Sequence, residues 1–206
     1  MTTRFRRPAM LTEERAERII GDVDPATRSD VAHMTAGAIV SGGRADSDNA
    51  ELVKRLITLV DTEGIDIVAG MWADSPATTL PGILWRLYLL REWTKEDGEL
   101  MSVHFRLGSQ NAQVDEVIAG LAHLPGPEEV RAGVDAVLSG VFQGDFAVTL
   151  ERAGAFCRVL TTGAALEADS HEGQRASRLT RHASVLQTRA EEFEKAAGMW
   201  RAGRLD

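Results

Sequence analysis

One cysteine, one tyrosine and six prolines in 206 residues set limits before any pattern is read. Cys157 has no second cysteine with which to close an intramolecular disulfide, so a disulfide scaffold and a four-cysteine zinc site are both excluded. A chain of this length buries roughly 70% of its unfolded surface on folding and can carry a full core without such staples. No apolar run approaches the roughly 18–20 residues that cross a bilayer. The N-terminal "MTTRFRRPAM" is basic but lacks the apolar stretch of a signal peptide. The expectation is a cytoplasmic, soluble protein with no membrane partner.

Basic charge is scarce through the middle of the chain. The net charge is −8; residues 1–10 contribute +3 from Arg4, Arg6 and Arg7, residues 171–206 contribute +2, and the intervening body is therefore at −13. An acidic body argues against a broad nucleic-acid surface, because neutralising phosphates takes clustered Lys and Arg. Only the arm carrying Arg4, Arg6 and Arg7 offers a nucleic-acid or acidic-protein contact, and a solvated tail is its plainer reading.

Strand signals are equally rare. "IDIV" and "AIV" are the two short β-rich runs, and neither has a hairpin partner. What is present instead is helical periodicity with caps. Thr12 precedes "EERAERIIGDV", Asp24 with Pro25 opens a helix that stops at Gly42-Gly43, and Asp48 with Glu51 has capping-box spacing before "AELVKRLITLV". A short helix is expected around "IDIVAGMW". Thr79 with Pro81 caps "LPGILWRLYLLREW", and Thr94 is expected to cap a helix through "TKEDGELMSVHFRLG". Further helices are expected in "NAQVDEVIAGLAHL", from Pro127 in "GPEEVRAGVDAVLSGVF", and from Asp145 in "DFAVTLERAGAFCRVLTTG". The reading is an all-α multi-helix bundle of about eight or nine helices. It divides into a flexible basic arm (1–10), a helical core (11–169) and a long C-terminal helix (170–206).

Two stretches stand out. The last helix places Ala176, Leu179, Ala183, Leu186, Ala190, Phe193, Ala197 and Trp200 at alternating spacings of three and four, a heptad seam with alanine along one side. Such a seam packs on the body of its own chain or pairs with a second copy. Arg175, Arg178 and Arg181 lie early and Glu191, Glu192 and Glu194 late, so an antiparallel homodimer would bring unlike charges together. The second stretch, Leu80–Trp93, holds two of the four tryptophans, the only tyrosine and five leucines. A helix apolar on nearly every side is expected to be central and buried. Its aromatic residues each keep a polar tip, so Trp72, Trp85, Tyr88, Trp93 and His104 together form a candidate pocket wall or partner surface.

Catalytic and metal motifs are missing. There is no H-E-x-x-H, no paired Glu-x-x-His, no P-loop, no strand followed by G-x-G-x-x-G and no G-x-S-x-G elbow. Asp30 with His33, and Glu167 and Asp169 with His171, are weak metal-like pairs, so no metal and no cofactor is expected. Cys157 sits among apolar residues at helical spacing, as a buried inert thiol does. The first fifty residues lack the compact pattern of a helix-turn-helix with a basic recognition helix. Should the chain be an enzyme of unfamiliar type, Asp74, Glu92, Asp97 and Glu99 are the acids nearest the aromatic stretch.

The segments "RFRRPAMLTEERAERII", "VDPATRSDVAHMTA", "DSPATTLPGILWRLYLLREW" and "VLSGVFQGDF" resemble a family of conserved proteins of unassigned function from high-GC Gram-positive bacteria, over most of the chain up to about residue 170. The resemblance implies a cytoplasmic protein and carries over no catalytic residues. An accessory role near transcription is compatible with the basic arm and acidic body, although no polymerase motif is present. The leading expectation is a non-catalytic helical protein acting through protein contacts, as a homodimer or an adapter. The alternative is a small-molecule binder or enzyme with an aromatic-walled pocket.

Overall fold

The computed structural model describes residues 24–41, 55, 58–60, 62–111, 126–139 and 144–206. The arm at 1–10, the helix expected after Thr12, the Asp48–Glu51 box and most of "NAQVDEVIAGLAHL" lie outside the described residues. Those described include no strand, and the helices with defined bounds are α1 (Pro25–Ser41), α2 (Ile65–Gly70), α3 (Leu80–Glu96), α4 (Gly98–Asn111), α5 (Pro127–Leu138), α6 (Phe146–Asp169) and α7 (Gly173–Arg201); residues 55, 58–60, 62 and 63 are helical as well. Both β-rich runs are helical, "AIV" within α1 and "IDIV" as the start of α2. Four residues are too few for a strand without a partner to pair with. None of the described helices is long and apolar enough to cross a membrane.

Capping chemistry places the boundaries. Asp24 accepts from Ala26 N at 3.1 Å, Thr79 from Gly82 N at 3.3 Å and Asp145 from Ala147 N at 2.9 Å. Each satisfies one orphan donor of a first turn. Glu129 reaches back to Gly126 N at 3.3 Å ahead of α5. Thr94 departs from expectation: it lies inside α3, where its hydroxyl donates to the Arg91 carbonyl at 2.6 Å. The break falls three residues later at Asp97, whose carbonyl takes Met101 N at 3.0 Å and so starts α4.

The helix buried on most sides is α6, with fourteen of its 24 residues inside. In α3 only the Leu80, Ile83, Leu84, Leu87 and Leu90 face, with the first turn, is fully buried; Trp85, Tyr88 and Trp93 are half-buried and Leu89 is exposed. The central position thus belongs to the helix richest in small residues, because small side chains let neighbours approach on several faces at once.

On one flank α4 crosses α6 antiparallel through two glycines. A Cβ on Gly108 would stand 1.9 Å from the Val159 carbonyl oxygen, and one on Gly163 would stand 1.9 Å from that of His104. Each glycine faces the residue one turn before the other glycine, so the contact is a reciprocal clasp of main chain on main chain. On the other flank α7 runs antiparallel to α6. Phe146 meets Trp200 edge-on at 5.0 Å, Arg158 Nη2 donates to Glu194 at 2.6 Å, and Arg201 Nη2 donates to Glu151 at 2.8 Å.

Candidate functional site

The C-terminal seam is covered by its own chain. Leu179, Ala183, Leu186, Ala190, Phe193 and Ala197 are buried, Ala176 and Trp200 are half-buried, and the helix they face most extensively is α6. Of the two expected uses of the stripe, packing on the body of its own chain is the one described here. Five of the six charges that would cross between copies have partners within the chain: Arg175 with Glu167, Arg181 with the Ser177 carbonyl, Glu191 with Gln187, Glu192 with Arg86, and Glu194 with Arg158. Alanine at successive turns seats α7 on α6, as the close approach of two helices requires.

The aromatic candidates do not share one pocket. Trp72 is fully buried, and its Nε1 donates to Thr35 Oγ1 at 3.0 Å, tying the turn after α2 to α1. Trp85 and Tyr88 stack at 5.3 Å, and Tyr88 Oη donates to Asp66 Oδ1 at 3.0 Å. Burial, reinforced by the Asp66 carboxylate, pushes the Tyr88 phenol up to about 12. These three are packing residues of the α1–α2–α3 side. Beside them, Arg91, Glu92, Lys95 and Asp135 line a polar recess of about 480 Å³ and pair with one another.

Trp93 and His104 converge elsewhere, on His182 of α7. The Trp93 and His182 rings are 4.5 Å apart, and His104 meets His182 edge-on at 5.8 Å. The glycine clasp explains the position of His104. Its carbonyl lies against Gly163, and Glu167 stands one turn further along the same face of α6, where its Oε2 is 2.7 Å from His104 Nε2. Oε1 of the same carboxylate receives Arg175 Nη2 at 3.0 Å. Burial pushes the Glu167 carboxyl up, but the bonds from Arg175 and His104 outweigh it, and its pKa lies below the ordinary 4.5. His104 is fully buried, and its Nδ1 has no hydrogen-bond partner among the described residues. Burial and then the neighbouring His104 lower the pKa of His182 from 6.5, with Asp97 opposing. His182 is therefore a neutral imidazole at pH 7.

From His182 a cleft of about 290 Å³ runs between α3 and α7. One wall is Arg86, Leu89, Leu90 and Trp93; the other is His182, Val185, Leu186, Arg189 and Phe193, each set spaced as a single helical face. Cys157 of α6 forms the floor. The two helices meet at both ends of the gap. At one end Arg86 Nε donates to Glu192 Oε2 at 2.9 Å, and at the other Trp93 packs on His182. The seven-residue step from Arg86 to Trp93 spans ~10 Å of helix. Burial pushes the Cys157 thiol up to about 12, against a lowering pull from Arg189, so it stays protonated at neutral pH and is no nucleophile.

The metal-like pairs disperse. His33 Nδ1 bonds the Ser29 carbonyl at 2.8 Å, His171 Nδ1 lies 2.9 Å from Ser170 Oγ, and Glu167 is committed to His104 and Arg175. Among the described residues no group of three or more His, Cys, Asp or Glu is placed to hold a metal ion. No family model matches the chain, and no curated protein or solved structure matches it.

Of the five aromatic candidates, then, only Trp93 lines the cleft, with His104 behind His182. The sequence reading missed Arg86, Leu89, Val185, Arg189 and His182 as site residues. A signal was present: 86/89/90/93 and 182/185/186/189/193 are both i, i+3, i+4, i+7 stripes that mix apolar and basic residues.

Proposed function

We propose that the protein binds a compact, largely apolar small molecule in the cleft between α3 and α7. The observation that carries this reading is the gap itself: Leu89, Leu90, Val185, Leu186 and Phe193 border an open space of about 290 Å³ although the helices touch at both its ends. The cleft opens at the surface past Leu89 and Val185, which leaves its apolar walls within reach of a ligand. Apolar walls with a few convergent polar groups are the usual character of a ligand site, and this volume lies at the lower end of the range, near 300 Å³, for such sites. Burial of the C-terminal seam supports a ligand site over helix pairing, since it leaves the pairing stripe covered.

The protonated thiol of Cys157 and the neutral imidazole of His182 favour binding over covalent chemistry at this site. Titration calorimetry with octanol, an eight-carbon probe, tests the reading. One saturable site is expected in the native chain, with no binding by Leu89→Trp, which fills the cleft from its rim. Absence of a saturable site, or equal binding by the variant, refutes it.

A further inference from the structure

The cleft is electrically lopsided along its length. At one end Arg86 and Arg189 share a single carboxylate, that of Glu192. Arg86 is held in place, with Nε on Glu192 and Nη1 on the Gly82 carbonyl at 2.7 Å. Arg189 bonds Glu192 through Nη1 alone, and its side chain is one-third exposed. Its Nε and Nη2 have no partner among the described residues and so keep donors available at the cleft that Arg189 lines, in the planar arrangement that suits a carboxylate. Among the described residues lining the cleft, the opposite end carries no matching cation. It is formed by the Trp93 indole and the uncharged His182 ring, and the acid behind them, Asp97, accepts from Trp93 Nε1 at 3.2 Å. An anion at the Trp93 end would face Asp97, whereas an anion at the Arg189 end meets an excess of one positive charge.

We infer that the ligand is a medium-chain monocarboxylic acid, bound with its carboxylate at Arg189 and its apolar body running along Leu90, Val185 and Leu186 toward Trp93. This rests on the cleft being a binding site, and adds the class and orientation of what it holds. A carboxylate there gains a charge-assisted hydrogen bond in a partly dehydrated setting, while an amine of the same length meets Arg86 and Arg189 as like charges.

Titration calorimetry with three probes of one chain length, octanoate, octanol and octylamine, separates the two levels. Octanoate is expected to bind the native chain about tenfold more tightly than octanol, the order given by one charge-assisted bond at a partly exposed arginine. Octylamine is expected to bind most weakly, and the octanoate advantage to shrink with added salt. In Arg189→Gln the octanoate-to-octanol ratio is expected to fall to about one, and Arg189→Lys to keep part of it. Octanol binding that Leu89→Trp abolishes, with octanoate no tighter, overturns the carboxylate assignment and leaves the cleft reading intact. An octanoate preference that persists in Arg189→Gln places the acid elsewhere and also overturns it. Failure of all three probes, or a mass that doubles with concentration while they fail to bind, overturns both. The native-chain comparison and its salt dependence decide the question even if Arg189→Gln does not fold.

Discussion

The two flanks of α7 and α6 are built on opposite rules. Toward α4 and along the α6–α7 seam, glycine and alanine bring main chains together and leave no space. Between α3 and α7, large side chains at two points, Arg86 with Glu192 and Trp93 with His182, hold the helices apart and leave a cleft. Size at a crossing thus sets separation, and the spacing of the large contacts sets the length of what remains open. The closed flank fixes the open one: the clasp places His104, His104 and Glu167 orient the start of α7, and His182 follows two turns along.

The strongest way to break this contrast is to put side chains into the clasp. In Gly163→Ala the new methyl meets a carbonyl oxygen 1.9 Å away, and main chain cannot rotate aside as a rotamer can. A loss of about 3 kcal/mol or more is expected, at the upper end of overpacking effects, and the Gly108→Ala, Gly163→Ala double variant is expected not to fold. Urea denaturation measures the first, and far-ultraviolet circular dichroism reads the second. A loss below 1 kcal/mol would mean that α4 and α6 are not in main-chain contact.

A smaller effect tests how the clasp is relayed to α7. Glu167→Ala leaves His104 buried with neither ring nitrogen partnered, and a loss of about 1–3 kcal/mol is expected. The pH dependence has a definite sign. His182 and Glu167 both have folded-state pKa values below their ordinary ones, so the unfolded chain takes up their protons first and stability falls as pH falls. For His182 the stability is complete above 6.5 and is lost as pH drops toward its lowered folded value; for Glu167 it is complete above 4.5 and lost below. Denaturation midpoints between pH 8 and 3 should show both phases in the native chain and only the upper one in Glu167→Ala. A native chain that gains stability on acidification from pH 7 to 5 would contradict the placement of His182.

The mildest change sharpens the cleft side. Val185 lies 54% exposed on the rim, so Val185→Ala is expected to alter stability by no more than about 0.5 kcal/mol. The same substitution should weaken octanol binding about threefold, as loss of one or two methyl contacts does. An undiminished affinity would take Val185 out of the ligand's path.

Periodicity and caps made most of the fold legible. Asp24, Thr79 and Asp145 start helices where expected, Pro127 opens α5, and the stripe from Leu179 to Ala197 is a packing face. Thr94 misled because threonine occurs within helices as well as before them; the hydroxyl bonds backward to Arg91 as readily as it caps forward. The candidate site was legible only in pieces. Trp72, Trp85 and Tyr88 share composition with Trp93 but point to other neighbours, and no local pattern tells which of two helices an aromatic ring will meet. The pairing of His104 with Glu167, 63 residues apart, depends on two glycines whose importance is visible only when the helices are placed side by side.

The contact between Trp93 and His182 has an optical meaning. An imidazolium ring against an indole quenches its emission far more than a neutral imidazole does, and these rings are 4.5 Å apart at the mouth of the cleft. Trp93 therefore carries a built-in lamp whose brightness follows the charge on His182 and the displacement of either ring by whatever enters. The protein supplies its own label at the place where one would be wanted.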